Sequence, residues 1–397
     1  MKRIGCFLLG VLMMSMIGCT PTEQNPPSSQ EPTFSSVYAR QAYRQLTAIE
    51  KAFRSDKGVI SETSAKLRRA NLWTYGAYFT AVAKLVKAEQ NDDTVALMNG
   101  ALRELEWYAC SGMDAYASDN GRERPVFFDD NAWLVYGLLE MYQAVGRKEL
   151  LDRAIAVQNF IYTGWQEELG GGLLWRQFDP ASTSDKDYVR NTCINAPTAM
   201  NAATIYRITN DATHLTWAEK IFDWTQKTLK NTQLGTYYDC INRAGEIDKA
   251  QFTYNSGCML SAAALLYDIT KEEKYAVEAA SIAEGSLALF SHKHVSPSVQ
   301  GDFYNDSAWF RVYLFQGFAD AARYCGESYG AAIDGCIAGY DYAVKRGYYD
   351  SLELVYDRWD GTMKPEAGET YVAPCREACG NAQSIAVFAE YKTSKRG

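Results

Sequence analysis

Two adjacent carboxylates, Asp129 and Asp130, sit between Phe127-Phe128 and Trp133, where a loop over residues 119–125 gives way to helical apolar spacing. Acids this close cannot both ionise freely, so their titrations are driven apart: one is a carboxylate while the other keeps its proton. A retaining glycosidase needs that division, with a nucleophile and a proton donor whose carboxyl groups stand about 5–5.5 Å apart. The competing reading is structural, with Asp129 as an N-cap and Asp130 as a first-turn acid favoured by the helix dipole. On the chemical reading the dipole alone ranks them. Asp129, nearer the positive end, is the candidate nucleophile, and Asp130 the candidate acid and then base.

The elements that must position this pair are almost all helical. Apolar residues recur at helical spacing over about 36–53, 67–89, 93–110, 130–145, 148–164, 192–209, 212–230, 255–270, 273–290, 305–324, 329–346 and 378–393. Short polar turns such as Thr209-Asn210-Asp211 join each even helix to the next odd one, and the unit repeats at roughly 60 residues. Six helical hairpins predict an all-α (α/α)6 barrel, with a superhelical solenoid as the competing architecture.

The long connections all precede even-numbered helices. If those helices form the inner ring, six segments converge on one pit: Arg68 to Trp73, the Asp129-Asp130 pair, Asn191 to Pro197, Thr253 to Gly257, Phe303 to Asp306, and Cys379 to Asn381. Two further stretches read as short β-hairpin insertions on that end, Glu168 to Trp175 and Tyr237 to Ile247. Candidate substrate contacts follow from this placement: Asn131 and Trp133 beside the pair, Gly171 and Gly172 where a backbone must approach closely, and Trp175 as a flat ring. Asn195, Asp239, Tyr254, Asn255 and Tyr304 complete the set as donors, acceptors and rings.

Other chemistries are excluded by what the pit lacks. The chain has three histidines, His214, His292 and His294, and none falls in the six segments. A Ser-His-Asp triad or a histidine-held zinc therefore has no imidazole. Eight cysteines follow Cys19 at irregular spacings without a Cys-x-x-Cys pair, which predicts buried thiols or incidental disulfides and no metal site.

The first residues read as an address. Met1-Lys2-Arg3, an apolar run to Ile17 and Gly18-Cys19 predict a lipoprotein signal over 1–18, with lipidation of Cys19. A polar tether over 19–32 and a catalytic domain over 33–397 follow. Removing Lys2 and Arg3 takes the net charge from -8 to -10, which argues against nucleic acid or anionic lipid as partner and leaves the lipid anchor as the one membrane contact. The expected location is the periplasm or outer-membrane surface of a Gram-negative bacterium, and the expected state is a monomer.

Phe128-Asp129-Asp130-Asn131-Ala132-Trp133, the Gly170 to Trp175 segment, Asn191 to Pro197 and Thr253-Tyr254-Asn255-Ser256-Gly257 together resemble, in order, the motifs of glycoside hydrolase family 76. The resemblance covers about 36–393 and departs at Ser256, where the family more often has Gln. It implies an (α/α)6 barrel that cleaves α-1,6-linked mannan or manno-oligosaccharides with retention of configuration and without a cofactor. It also implies Asp129 as nucleophile and Asp130 as acid/base. The alternatives are a surface mannan-binding lipoprotein without hydrolysis, and another (α/α)6 enzyme acting on acidic sugars, which would want Arg or Lys in the pit.

Overall fold

Twelve α-helices carry the chain in the computed structural model, which describes residues 33–119, 126–177, 184, 188–292, 301–362 and 372–395. They are α1 (Val37–Phe53), α2 (Leu72–Ala88), α3 (Asp92–Leu105), α4 (Phe128–Val145), α5 (Lys148–Tyr162), α6 (Thr192–Thr209), α7 (Ala212–Leu229), α8 (Thr253–Thr270), α9 (Glu273–Phe290), α10 (Ala308–Tyr324), α11 (Gly330–Lys345) and α12 (Cys375–Ser394). The expected signal, Cys19 and the tether lie outside the described residues, as does His294.

The even helices are buried on nearly every side, and the odd ones along a single face. Each even helix packs on the next, from α2 through α4, α6, α8 and α10 to α12, and α12 returns to α2. That closure rules out the solenoid and makes the fold an (α/α)6 barrel with the odd helices outside. Inner helices approach closely where they carry glycine. A Cβ on Gly257 would stand 2.4 Å from the backbone of Tyr313 and Leu314, and one on Gly380 2.4 Å from that of Trp309.

Three helix starts differ from the sequence reading by three residues or more, two of them for a local reason. α2 begins at Leu72 because the preceding chain is extended, with Ser61 bridged to Arg69 and Lys66 at φ 56°. α10 begins at Ala308 because Asp306 instead caps α8, its Oδ2 accepting from the Thr253 amide and hydroxyl at 2.8 Å. α12 starts earlier than expected, at Cys375. The expected hairpin at 237–247 is present as β2 (Tyr238–Ile241) and β3 (Ile247–Gln251), joined by β1 (Arg190–Asn191) into an antiparallel sheet of order β1-β2-β3. The stretch 168–175 is not a hairpin. It is a 3-10 turn followed by single bridges, Trp165 to Leu173 and Phe127 to Arg176. A second small ladder, β4 (Ser291–His292) with β5 (Phe303–Tyr304), has no counterpart in the sequence reading.

The ring is latched at its other end. Lys84 of α2, fully buried, lies 2.6 Å from Glu140 of α4 and 2.7 Å from Glu390 of α12, and Lys87 adds a bond to Glu140 at 2.8 Å. The cations hold the Glu390 carboxyl well below the usual range despite its burial.

Candidate active site

The N-termini of five inner helices, α2, α4, α6, α8 and α10, meet at a cavity of about 260 Å³ whose walls include Asp129, Asp130, Trp133, Trp175, Asp239 and Tyr254, while the expected segments Phe303 to Asp306 and Cys379 to Asn381 do not line it. Six of the residues singled out from sequence are thus brought together. Neither aspartate is an N-cap: α4 starts after Phe127, which makes no side-chain cap, and the pair occupies the first turn.

The two carboxylates have different surroundings. Asp129 Oδ2 accepts the indole N–H of Trp175 at 2.8 Å and faces the Cys193 thiol at 3.6 Å, while its Oδ1 accepts the Asp130 amide at 2.9 Å. Burial pushes its carboxyl up to about 6, and these donors restrain the rise. Asp130 is raised well above the usual range by burial and by the charge of Asp129, and only the Ser118 hydroxyl eases its ionisation. Donors therefore stabilise the anion at Asp129, and the proton stays on Asp130. The Cys193 thiol is itself pushed up by burial and by both Asp129 and Asp239, so it remains an S–H donor.

Aromatic rings line the rest. Trp133 forms part of the floor against Tyr313, 4.4 Å between centroids, and Trp309, 5.0 Å. Tyr254 stacks on Phe310 at 4.2 Å and 19°, and Trp73 stands near-parallel to Phe310 at 6.4 Å. Phe127 leans on Trp175 at 4.8 Å. The Arg376 guanidinium lies 3.9 Å from the Trp73 ring centre and is bonded to Glu377 at 3.0 Å, so its charge is already engaged.

Several residues expected to touch substrate have other work. Asn131 is fully buried: its Oδ1 accepts the Tyr116 amide at 2.8 Å and its Nδ2 donates to the carbonyls of Tyr116 and Phe127. Asn195 treats Leu173 alike, accepting its amide at 2.9 Å and donating to its carbonyl and to that of Asn191. Both pin a loop to an inner helix. Gly171 and Gly172, at φ 126° and 103°, make room for neighbouring rings rather than for a ligand. A Cβ would meet Trp165 at 2.3 Å from the first and Trp224 at 2.5 Å from the second. Tyr304 lies away from the cavity, against Phe315 and the Cys336 thiol. Asn255 is fully buried near Asp239, with neither amide atom in a hydrogen bond of ordinary geometry.

Sequence reasoning did not single out Ser118, Cys193, Phe252, Trp309 or Phe310, all of which line the cavity. Trp309 and Phe310 were one turn from visibility, because the tenth helix was expected to start at 305. Cys193 carried no signal of its own beyond its place in the Asn191 to Pro197 segment. As for metals, Asp239, Cys240 and Asp248 gather donor atoms within 4.8 Å. This is a product of the Cys240–Asp248 cross-strand pairing. The Cys240 thiol is pushed up to about 12 by burial and by both acids, so it is a poor ligand at neutral pH.

Residues 35–368 match the sequence model of glycosyl hydrolase family 76. The chain is 32% identical over 158 residues to a mannan endo-1,6-alpha-mannosidase of Candida albicans, covering 38% of this chain and 34% of that protein. It is 28% identical over 227 residues to the Candida glabrata counterpart, covering 52% and 49%. The alignments thus span a third to a half of these relatives. Among solved structures, a family 76 mannosidase of Bacteroides thetaiotaomicron superposes with TM-score 0.80 at 22% identity, covering 91% of this chain and all of the other. An inactive variant of an alpha-1,6-mannanase of Salegentibacter, two consecutive aspartates replaced by asparagine, superposes with TM-score 0.71 at 19% identity, covering 89% and 99%; it holds alpha-1,6-mannotriose. At these identities the structures speak for the fold. The family is carried by the match over residues 35–368: this chain belongs to glycosyl hydrolase family 76.

Proposed function

We propose that the protein is a retaining, endo-acting α-1,6-mannanase in which Asp129 is the nucleophile and Asp130 the acid and then the base. The observation that carries the reading is the asymmetry of the pair: three donors aim at Asp129, whereas Asp130 is buried beside its charge. In the first step Asp130 gives its proton to the glycosidic oxygen while Asp129 Oδ1 or Oδ2 attacks the anomeric carbon, forming a glycosyl ester. In the second, Asp130 takes a proton from water, which displaces Asp129 from the opposite face and restores the α configuration. The Trp175 and Cys193 donors orient Asp129 and stabilise it again as it leaves.

The aromatic walls suit the apolar faces of a neutral sugar. With Arg376 spent on Glu377 and Trp73, the pit offers little to a uronate. The fungal relatives act, by their names, on mannan 1,6-linkages, and loss of two consecutive aspartates inactivates the Salegentibacter enzyme. Both facts support the same reading here. The decisive experiment is digestion of unbranched α-1,6-mannan, with anomeric NMR at early times. A ladder of α-configured oligosaccharides is expected. Binding without products would assign the pit to glycan capture, and β-configured products would remove Asp129 as nucleophile.

Attachment through a lipidated Cys19 at the periplasmic or outer face belongs to the same proposal, and rests on residues 1–32 of the sequence. Cys19→Ala should move the protein from the membrane to the soluble fraction; continued membrane association would refute it.

A further inference from the structure

On the same end of the barrel, outside the pit, two adjoining depressions of about 490 and 580 Å³ share Lys57, Val59 and Trp107. Their charge runs against that of the chain. Arg54, Lys57, Lys66, Arg68, Arg69 and Arg103 line them, against Glu50, Asp56 and Glu104, so six cations face three anions on a protein of net charge -8. Two of the three acids are already engaged: Arg54 bonds Glu104 at 2.8 Å and Glu50 at 2.7 Å. Lys57, Arg68 and Arg103 are exposed and form no ion pair among the described residues. Trp107 is 49% exposed and Leu67 89%, an unusual amount of apolar surface beside free cations.

The ledge is built rather than loose. The Arg69 guanidinium lies 4.3 Å from the Trp107 ring centre and props that ring from one side. The backbone beneath is fixed, with Ser61 bridged to Arg69 and the Ala70 amide bonded to Ile60 at 2.9 Å. The same extended segment leads into the pit: two residues after Arg69, Asn71 caps α2 and lines the catalytic cavity. At about 3.3 Å per extended residue, the backbone of Arg69 on the ledge and that of Asn71 on the cavity wall are about 7 Å apart. A polymer leaving the pit over Asn71 would run onto Arg69 and Trp107.

We propose that this ledge is a distal glycan-binding site that takes oxyanion substituents, phosphate or carboxylate, on the chain whose neutral part occupies the pit. Trp107 offers its free face to a sugar ring, and Lys57, Arg68 and Arg103 meet the anion. The pit itself selects neutral mannose units, so the enzyme would cut neutral stretches while holding the charged ones alongside. The inference rests on the mannanase reading for the identity of the polymer, and on the ledge alone for its charge preference.

The test uses the full chain carrying Asp129→Asn and Asp130→Asn, titrated with unbranched α-1,6-mannan in neutral, phosphorylated and carboxymethylated forms. The charged polymers should bind at least about tenfold more tightly at low salt, with the advantage shrinking as ionic strength rises. Adding Lys57→Ser, Arg68→Ser, Arg103→Ser and Trp107→Ala should abolish that advantage, while the same four changes in the active enzyme leave hydrolysis of neutral α-1,6-mannotetraose unchanged. A gain confined to the phosphorylated polymer identifies phosphate as the ligand, and a gain for both identifies any oxyanion. Equal binding of all three polymers, or an advantage that survives the four substitutions, overturns the ledge. If wild-type enzyme cuts no α-1,6-mannan, the function reading falls while the binding comparison still decides the ledge.

Discussion

Replacing Trp175 with Phe isolates one donor to the proposed nucleophile. The indole N–H reaches Asp129 Oδ2 at 2.8 Å, and Phe removes that donor while keeping a ring to pack on Phe127. The backbone bonds from Phe128 N to Trp175 O and from Trp175 N to Val189 O, both 2.9 Å, do not depend on the side chain. A hydrogen bond to a charged group contributes about 1.5–3 kcal/mol, and one pKa unit corresponds to about 1.4 kcal/mol, so Asp129 should rise by about one to two units. Starting from about 6, it would titrate at about 7–8, and its ionised fraction at pH 7 would fall from about nine-tenths to between about a half and a tenth. The assay is kcat/KM on α-1,6-mannan across pH. The acid limb should move up by that interval, with the basic limb, set by Asp130, in place. An acid limb superimposable on that of the wild type would refute the argument that donors make Asp129 the anion.

Cys193→Val should move the same limb in the same direction by less than about one unit, since an S–H donor is worth under about 1 kcal/mol, and Cys193→Ser should restore it; a pH profile of the pair checks both. Asp129→Asn and Asp130→Asn should each abolish hydrolysis and raise Tm at pH 8. Burial lifts the Asp129 carboxyl from 3.8 to about 6, so the folded state holds that proton more tightly than the unfolded state does. The anion therefore costs about 3 kcal/mol above pH 6, and the gap in Tm should close as pH falls toward 4; scanning fluorimetry at both pH values reads it. Gly172→Ala should destabilise by about 2 kcal/mol or more in urea unfolding, since φ is 103° and the added Cβ would stand 2.5 Å from Trp224.

Periodicity alone exposed the twelve helices and their pairing, because inner helices are apolar all round and outer ones along a stripe. It also located the pit, because long connections fall on one side of a hairpin repeat. Asn131, Asn195 and Asn381 were harder. Each begins an Asn-Ala step near the start of an inner helix. The structure shows each side chain bonded to the backbone of the preceding connection: Tyr116 for Asn131, Leu173 for Asn195, Val355 for Asn381. A polar side chain at a helix start reads equally as cap, ligand or brace, and only the distant loop distinguishes them. Trp175 shows the same limit. Its ring was legible as a pit residue, but its N–H partner lies 46 positions away. Cys193 was invisible because a buried thiol usually packs, and here its neighbours are carboxylates.

The closed ring also dictates an order of assembly. Residues 375–394 form the last inner stave, wedged between α10 and α2 with α1 against its outer side, and Gln45 near the start bonds the backbone of Val355 more than three hundred positions later. Until that stave docks, α2 and α10 each present a bare apolar flank, and buried Lys84 lacks one of its two counter-ions. Pairings this distant in sequence close slowly, and open flanks are sticky in the meantime. A chain made from its N-terminus must therefore carry an unfinished seam until α12 has emerged, and the ring around the chamber closes with that helix rather than with the segment that bears Asp129 and Asp130.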